Sequence, residues 1–208
     1  MPELIDISPV ISPRIAPFPG DVPFRRDVVM DIRQGDNLTL SSIATSVHVG
    51  AHADAPSHYA IDGQPIAERP LGLYYGPCQV VAVDVGPGER ILPEHLSSDV
   101  TAARVLFCTG TFPDPNVWRD DFASLSPQLI EHLAARGVKL VGIDTPSIDP
   151  SDDRLLESHQ AVARHDLAVL EGLCLSHVEP NLYTLVALPL RIEDADAAPV
   201  RAALIPNP

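Results

Sequence analysis

Ser126-Pro127-Gln128-Leu129-Ile130-Glu131-His132-Leu133-Ala134-Ala135-Arg136-Gly137 runs straight into Val138-Lys139-Leu140-Val141-Gly142-Ile143. The first half reads as a helix. Ser126 can cap it, Pro127 sits in the first turn where no backbone N–H is needed, and Gly137 follows its end. The second half is a short β-branched apolar run, which reads as a strand. Working outward, comparable runs bounded by Gly and Pro predict strands at Leu4–Ile7, Val28–Ile32, Leu38–Val47, Gln79–Val85, Val105–Cys108, Leu182–Leu188 and Val200–Ile205. A second helix is expected from Arg154 to about His165, and a third, short one from near Pro93. Many strands and few helices predict an α/β or α+β domain, residues 1–208, on a mixed sheet or open barrel with long irregular loops. The loop Pro13–Pro23, with four prolines and Gly20, is stiff enough to wall a pocket.

Composition narrows the partners. The 208 residues carry 14 Lys+Arg against 28 Asp+Glu, a formal net charge of −14, and fit one domain that buries about 70% of its unfolded surface. Phosphate backbones and anionic membranes are bound through clusters of Lys and Arg, whereas Lys139 is the one lysine and Arg25-Arg26 the densest basic pair. No run approaches the roughly 20 apolar residues of a membrane span. The opening Met1-Pro2-Glu3-Leu4-Ile5-Asp6 lacks a basic start and apolar stretch. Cys78, Cys108 and Cys174 are odd in number and far apart, which suits neither a disulfide framework nor a CxxC site. The expectation is a cytoplasmic protein that binds neither nucleic acid nor membrane.

Three of the eight histidines fall in His48-Val49-Gly50-Ala51-His52-Ala53-Asp54-Ala55-Pro56-Ser57-His58. His48, His52, Asp54 and His58 share one parity, so an extended chain points them to one face. A flat strand would still spread His48 and Asp54 over about 20 Å. Metal donors lie about 2 Å from their ion, so the segment must curl, and Gly50 and Pro56 suit that. Imidazole with carboxylate suits zinc, manganese or iron rather than calcium. Further ligands are expected from His159 on the second helix and from Glu171, a carboxylate closing the apolar run Leu167–Leu170. His165 and His177 are weaker rivals, and His95 and His132 fall in polar surface patterns.

The run His48–His58 resembles the H-x-G-[T/A]-H-x-D-x-P-x-H signature of the metal-dependent cyclase-like hydrolases. Asp6-Ile7-Ser8-Pro9, Pro19-Gly20-Asp21, Pro23-Phe24, Gly142–Ser147, Ser158-His159 and Leu170–Leu173 are similar to its bacterial kynurenine formamidase (arylformamidase) branch. The resemblance covers nearly the whole chain and implies the swivelling β/α fold of that family. It also implies a homodimer and two zinc ions per subunit, with manganese or another divalent metal as alternatives. In that pattern His48 and His52 bind the first ion, His159 the second, and Asp54 and Glu171 bridge both. His58 is then the proton donor and acceptor, and the aromatic before Pro19 lies against the substrate ring. That aromatic is usually Trp; here it is Phe18, while Ala51 fits the formamidase branch.

The substrate so implied is N-formyl-L-kynurenine. Two close metals suit amide hydrolysis, and an imidazole that titrates near neutrality can return a proton to the departing aniline nitrogen. No G-x-S-x-G elbow is present, which argues against a serine hydrolase. The competing readings are an isatin-type cyclic amide as substrate, a non-enzymatic zinc-binding module with His58 among the ligands, a cupin-type oxygenase, whose H-x-H pair is absent, and a metal-free α/β domain.

Overall fold

In the computed structural model, which describes residues 3–207, thirteen strands and two α-helices follow one another. Met1 and Pro2, which open the N-terminal stretch without a basic start, lie outside the described residues. First come β1 (Ile5–Asp6), β2 (Arg25–Met30), β3 (Leu40–Ala44) and β4 (His52–Asp54). Then follow β5 (Tyr75–Ala82), β6 (Arg90–Ile91), β7 (Arg104–Cys108) and β8 (Ser124–Leu125). Helix α1 (Pro127–Ala134) leads to β9 (Leu140–Ile143), and α2 (Glu157–Arg164) to β10 (Ala168–Glu171). Last are β11 (Leu182–Val186), β12 (Ala197–Pro199) and β13 (Ala203–Pro206).

Nine strands form one mixed sheet in the order β1-β13-β11-β5-β7-β9-β10-β4-β12. Its centre, β5-β7-β9-β10, is parallel, and the flanking pairs are antiparallel. Parallel neighbours need a crossover, and α1 and α2 supply the two that lead into β9 and β10. Strand alternation then sorts the core. Val105, Phe107, Val141, Ile143 and Val169 face Leu129, Ile130 and Leu133 of α1 and Ala161 and Val162 of α2. Leu106, Leu140 and Leu170 face the opposite side, against Leu173, Leu175, Leu185 and Leu204. Both faces of β7, β9 and β10 are buried, so each carries an apolar run, whereas β5 is exposed at Tyr75, Pro77 and Ala82. The fold is therefore the expected mixed α/β sheet with few helices, left open because its edge strands β1 and β12 do not pair.

Helix α1 starts as its sequence dictates: the Ser126 hydroxyl accepts from the Leu129 N–H at 3.1 Å, and Pro127 opens the first turn. Helix α2 starts three residues later than expected, because the Asp153 carboxylate captures the N–H groups of Leu155 and Leu156 and Leu156 is left-handed at φ 50°. The short helix expected near Pro93 is a single 3-10 turn, Pro93–His95, with the His95 ring accepting from the Leu92 N–H. Ile32, expected at the end of a strand, begins a 3-10 turn beyond the bulge in β2.

Among the described residues, strands β2 and β3 pair only with each other, and ten of their eleven residues are exposed. This ribbon rises from two segments that reach the site, Phe18–Asp21 before it and Ser46–His48 after it, which are tied at its base by Ser46 N–H to Val22 O.

Candidate metal centre

The expected curl is made at Gly50, which is left-handed at φ 60°. Its carbonyl faces His52 Nδ1 at 2.9 Å, which turns His52 Nε2 inward. β4 then pairs antiparallel with β10 in a register that sets His52 opposite Glu171. Gly172, next along, is also left-handed, and a β-carbon there would lie 2.2 Å from the Gly50 carbonyl oxygen. Two glycines thus let the histidine segment and the glutamate strand approach closely.

At this junction the candidate donors meet. His52 Nε2 lies 3.4 Å from Asp54 Oδ1 and 3.3 Å from Glu171 Oε2. His159 Nε2 lies 3.3 Å from Asp54 Oδ2 and 3.4 Å from Glu171 Oε1. Each carboxylate therefore turns one oxygen toward each imidazole. His48 Nδ1 is 3.1 Å from Asp54 Oδ1. His52, Asp54, His159 and Glu171 are each at most 3% exposed, while His48 and His58 face the opening. His58 Nδ1 lies 3.4 Å from Asp196 Oδ2, and its ring centroid is 4.3 Å from that of His48. His165 pairs with Glu131, and His177 Nε2 meets the Asp6 carbonyl at 3.0 Å; neither rival joins the cluster.

The electrostatics show what this grouping needs. Burial disfavours charge on His52, but the Asp54 and Glu171 carboxylates outweigh it and raise the imidazole to about 10. Burial opposes charge on His159 too, and is outweighed by Asp149, Asp54 and Glu171, so it is held well above its ordinary value. Asp54 resists its own burial through His159, His48 and His52, and stays well below the carboxylate range. Glu171 is held down by His159 and His52 against burial and the charge of Asp54.

Among the described residues, His52 Nε2 and Asp54 Oδ1 nonetheless find no hydrogen-bond partner although both are buried. Charged atoms left so are costly, and a cation among them satisfies them at once. The donor set, imidazole nitrogens with carboxylate oxygens all within 4.8 Å for His52, Asp54 and Glu171, fits a divalent metal. His48, Asp54 and His58 form a second such group.

Three residues that sequence reasoning passed over complete the surroundings. Asp149 Oδ2 faces His159 Nδ1 at 2.9 Å and accepts from the His159 N–H at 3.0 Å, which fixes the ring with Nε2 inward. Arg90 donates to Asp149 Oδ1 at 2.9 Å and to Asp153 Oδ2 at 2.7 Å, locking that carboxylate from behind. Asp196 meets His48 Nε2 at 3.0 Å as well as His58. The one local signal was at Asp149, a carboxylate just before a proline and ten residues ahead of His159.

A cavity of about 630 Å³ opens over the cluster. The proline loop walls it through Ile15, Ala16, Phe18, Pro19, Gly20 and Asp21. Phe18 lines the cavity with its side chain partly exposed and its ring against Trp118.

The family model described as "Putative cyclase" matches residues 5–150. The chain is 47% identical over 207 residues to the kynurenine formamidase of Bordetella avium, a match covering 98% of each chain. It is 25% identical to the solved structure of a predicted metal-dependent hydrolase from Bacillus stearothermophilus, with a TM-score of 0.80 and 97% of each chain covered. Isatin hydrolase A from Labrenzia aggregata shares the fold at a TM-score of 0.82 and 21% identity, over 99% of this chain and 94% of that one.

Proposed function

The chain belongs to the Cyclase family, and we propose that its site hydrolyses N-formyl-L-kynurenine to L-kynurenine and formate, a step of tryptophan degradation. The observation that carries this reading is the 47% identity to a kynurenine formamidase across 98% of both chains. The isatin-type alternative has only a likeness of fold behind it.

His48 and His52 would hold one zinc ion, His159 the other, with Asp54 and Glu171 shared between them. When bound, the ions supply a water acidified toward neutrality and an electrophile for the formyl oxygen. His58 is the catalytic residue for the proton. With Nδ1 turned to Asp196, its Nε2 is left to take the proton from water and deliver it to the aniline nitrogen as the C–N bond breaks. An anilide anion leaves poorly, so that delivery decides whether amine or hydroxide departs. Phe18 covers the aryl ring. Asp149 and Gly50 orient His159 and His52 through their Nδ1 atoms, so that their Nε2 atoms would be the ones to hold the metal.

The homodimer is part of this proposal. A lone two-stranded ribbon is marginal in water, yet Val28, Val29, Leu40 and Ile43 stay exposed on this one. An antiparallel edge is complementary to its own copy. The ribbon and its tip, residues 25–44, match the roughly 20–30 residues that each partner gives a stable interface. Residence in the cytoplasm suits the three free thiols. The test is formate release from N-formylkynurenine with metal content measured on the same sample. Full metal with no formate would overturn the assignment.

A further inference from the structure

Above the metal cluster two irregular loops meet. One is the proline loop carrying Phe18; the other spans residues 111–123. Their backbones are joined by the Ala16 N–H donating to the Pro115 carbonyl at 2.9 Å. Their side chains are joined by Phe18 and Trp118, whose rings stand edge to face with centroids 4.9 Å apart. Behind Trp118 lie Phe112 at 6.1 Å and Phe122 at 6.0 Å, again edge to face. Phe18, Phe112 and Trp118 all line the cavity, so one wall of it is aromatic.

The indole is held in place. Its Nε1–H donates to Asp120 Oδ1 at 2.6 Å, and the Asp120 carbonyl accepts from the Ser151 hydroxyl at 3.0 Å, on another segment that lines the cavity. With the N–H engaged, what Trp118 offers a ligand is ring surface rather than a donor. That is what a flat, electron-rich aniline packs against. Phe18 alone is a small platform and 38% exposed; Trp118 widens it from the opposite loop.

Resting on the formamidase reading, we infer that Trp118 determines specificity for the aryl part of the substrate, forming with Phe18 the slot that receives an ortho-acylaniline ring. It positions that ring and takes no part in the proton transfer.

The molecule carries its own probe, since Trp118 is its one tryptophan. L-Kynurenine, the product, is the ligand to titrate into the metal-loaded protein while indole emission is followed. N-Formylglycine, a formamide without a ring, is the control. Saturable quenching by kynurenine and none by N-formylglycine are expected. Trp118→Leu should raise KM for N-formylkynurenine about 2- to 10-fold, the weight of one aromatic contact, with kcat and metal content kept. Trp118→Phe should restore most of the affinity. Turnover of formylkynurenine with flat fluorescence and an unchanged KM in Trp118→Leu overturns the inference and leaves the reaction standing. Saturable quenching without turnover upholds the slot and sinks the reaction instead. If Trp118→Leu does not fold, quenching in the unaltered protein still decides.

Discussion

His58 is the side chain on which two chemistries diverge. It shares a tight group with His48 and Asp54, as a ligand would, yet its Nδ1 is turned to Asp196 and it is the most exposed of the cluster. His48, His52, Asp54, His159 and Glu171 already give each ion at least three donors if the carboxylates bridge. His58→Ala should therefore keep both metals and the fold while kcat falls about 10²- to 10⁴-fold, the usual contribution of general acid–base catalysis. Metal analysis beside steady-state rates tests this; a metal-depleted variant would make His58 a ligand. Glu171→Gln and Asp54→Asn should each lose most of one or both ions, because a neutral amide bridges two dications poorly. Two ions fully retained in either variant would end the bridging assignment. The parity of His48, His52, Asp54 and His58 was legible because it is local in sequence. Asp149, Asp196 and Arg90 were not, since Arg90 meets Asp149 across 59 positions and Asp196 meets His48 across 148.

At the scale of elements, what can be read depends on length. α1 and β9 are visible because a cap, a proline and a glycine bracket the helix and an apolar run follows at once. β6, β8 and β12 have two or three residues each and carry no pattern. β4 was legible only as a parity of metal-competent side chains, and its partner β10 only as a run ending in Glu171. What joins them is backbone, at Gly172. A β-carbon there costs about 1–2 kcal/mol for the left-handed conformation alone, before the 2.2 Å approach to Gly50 is counted. Gly172→Ala should lower Tm by roughly 5 °C or more in a chain of this size and loosen the metals held by the His52–Glu171 register. A thermal melt at the parent Tm with full metal content would refute the claim that this approach holds the two segments together. The ribbon makes the opposite prediction. Val29 and Ile43 belong to neither core cluster, so Val29→Asp with Ile43→Asp should leave Tm of the body unchanged yet halve the mass seen by light scattering. An unchanged mass would overturn the proposed homodimer through the ribbon.

The whole molecule joins an acidic chain to a buried cluster whose charges depend on what fills it. Without metal, protons take the place of the ions: His52 stays protonated up to about 10 because Asp54 and Glu171 require a positive neighbour. A pKa raised on folding stabilises the fold fully below the unfolded value of about 6.5. That stabilisation is lost as pH rises through about 10. Metal acts with the reverse sign, since only deprotonated imidazole ligates and each ion bound must release the protons it displaces. Acid therefore supports the stripped fold and expels the ions, whereas mild alkali weakens the stripped fold and favours them. The difference in Tm between loaded and chelator-treated protein should accordingly be small near about pH 5.5 and widen steadily toward about pH 9. Calorimetry in buffers of different ionisation enthalpy should register proton release on metal binding, falling only as pH rises through about 10. A Tm difference independent of pH, or metal uptake with no proton released, would mean that the carboxylates do not hold these imidazoles protonated.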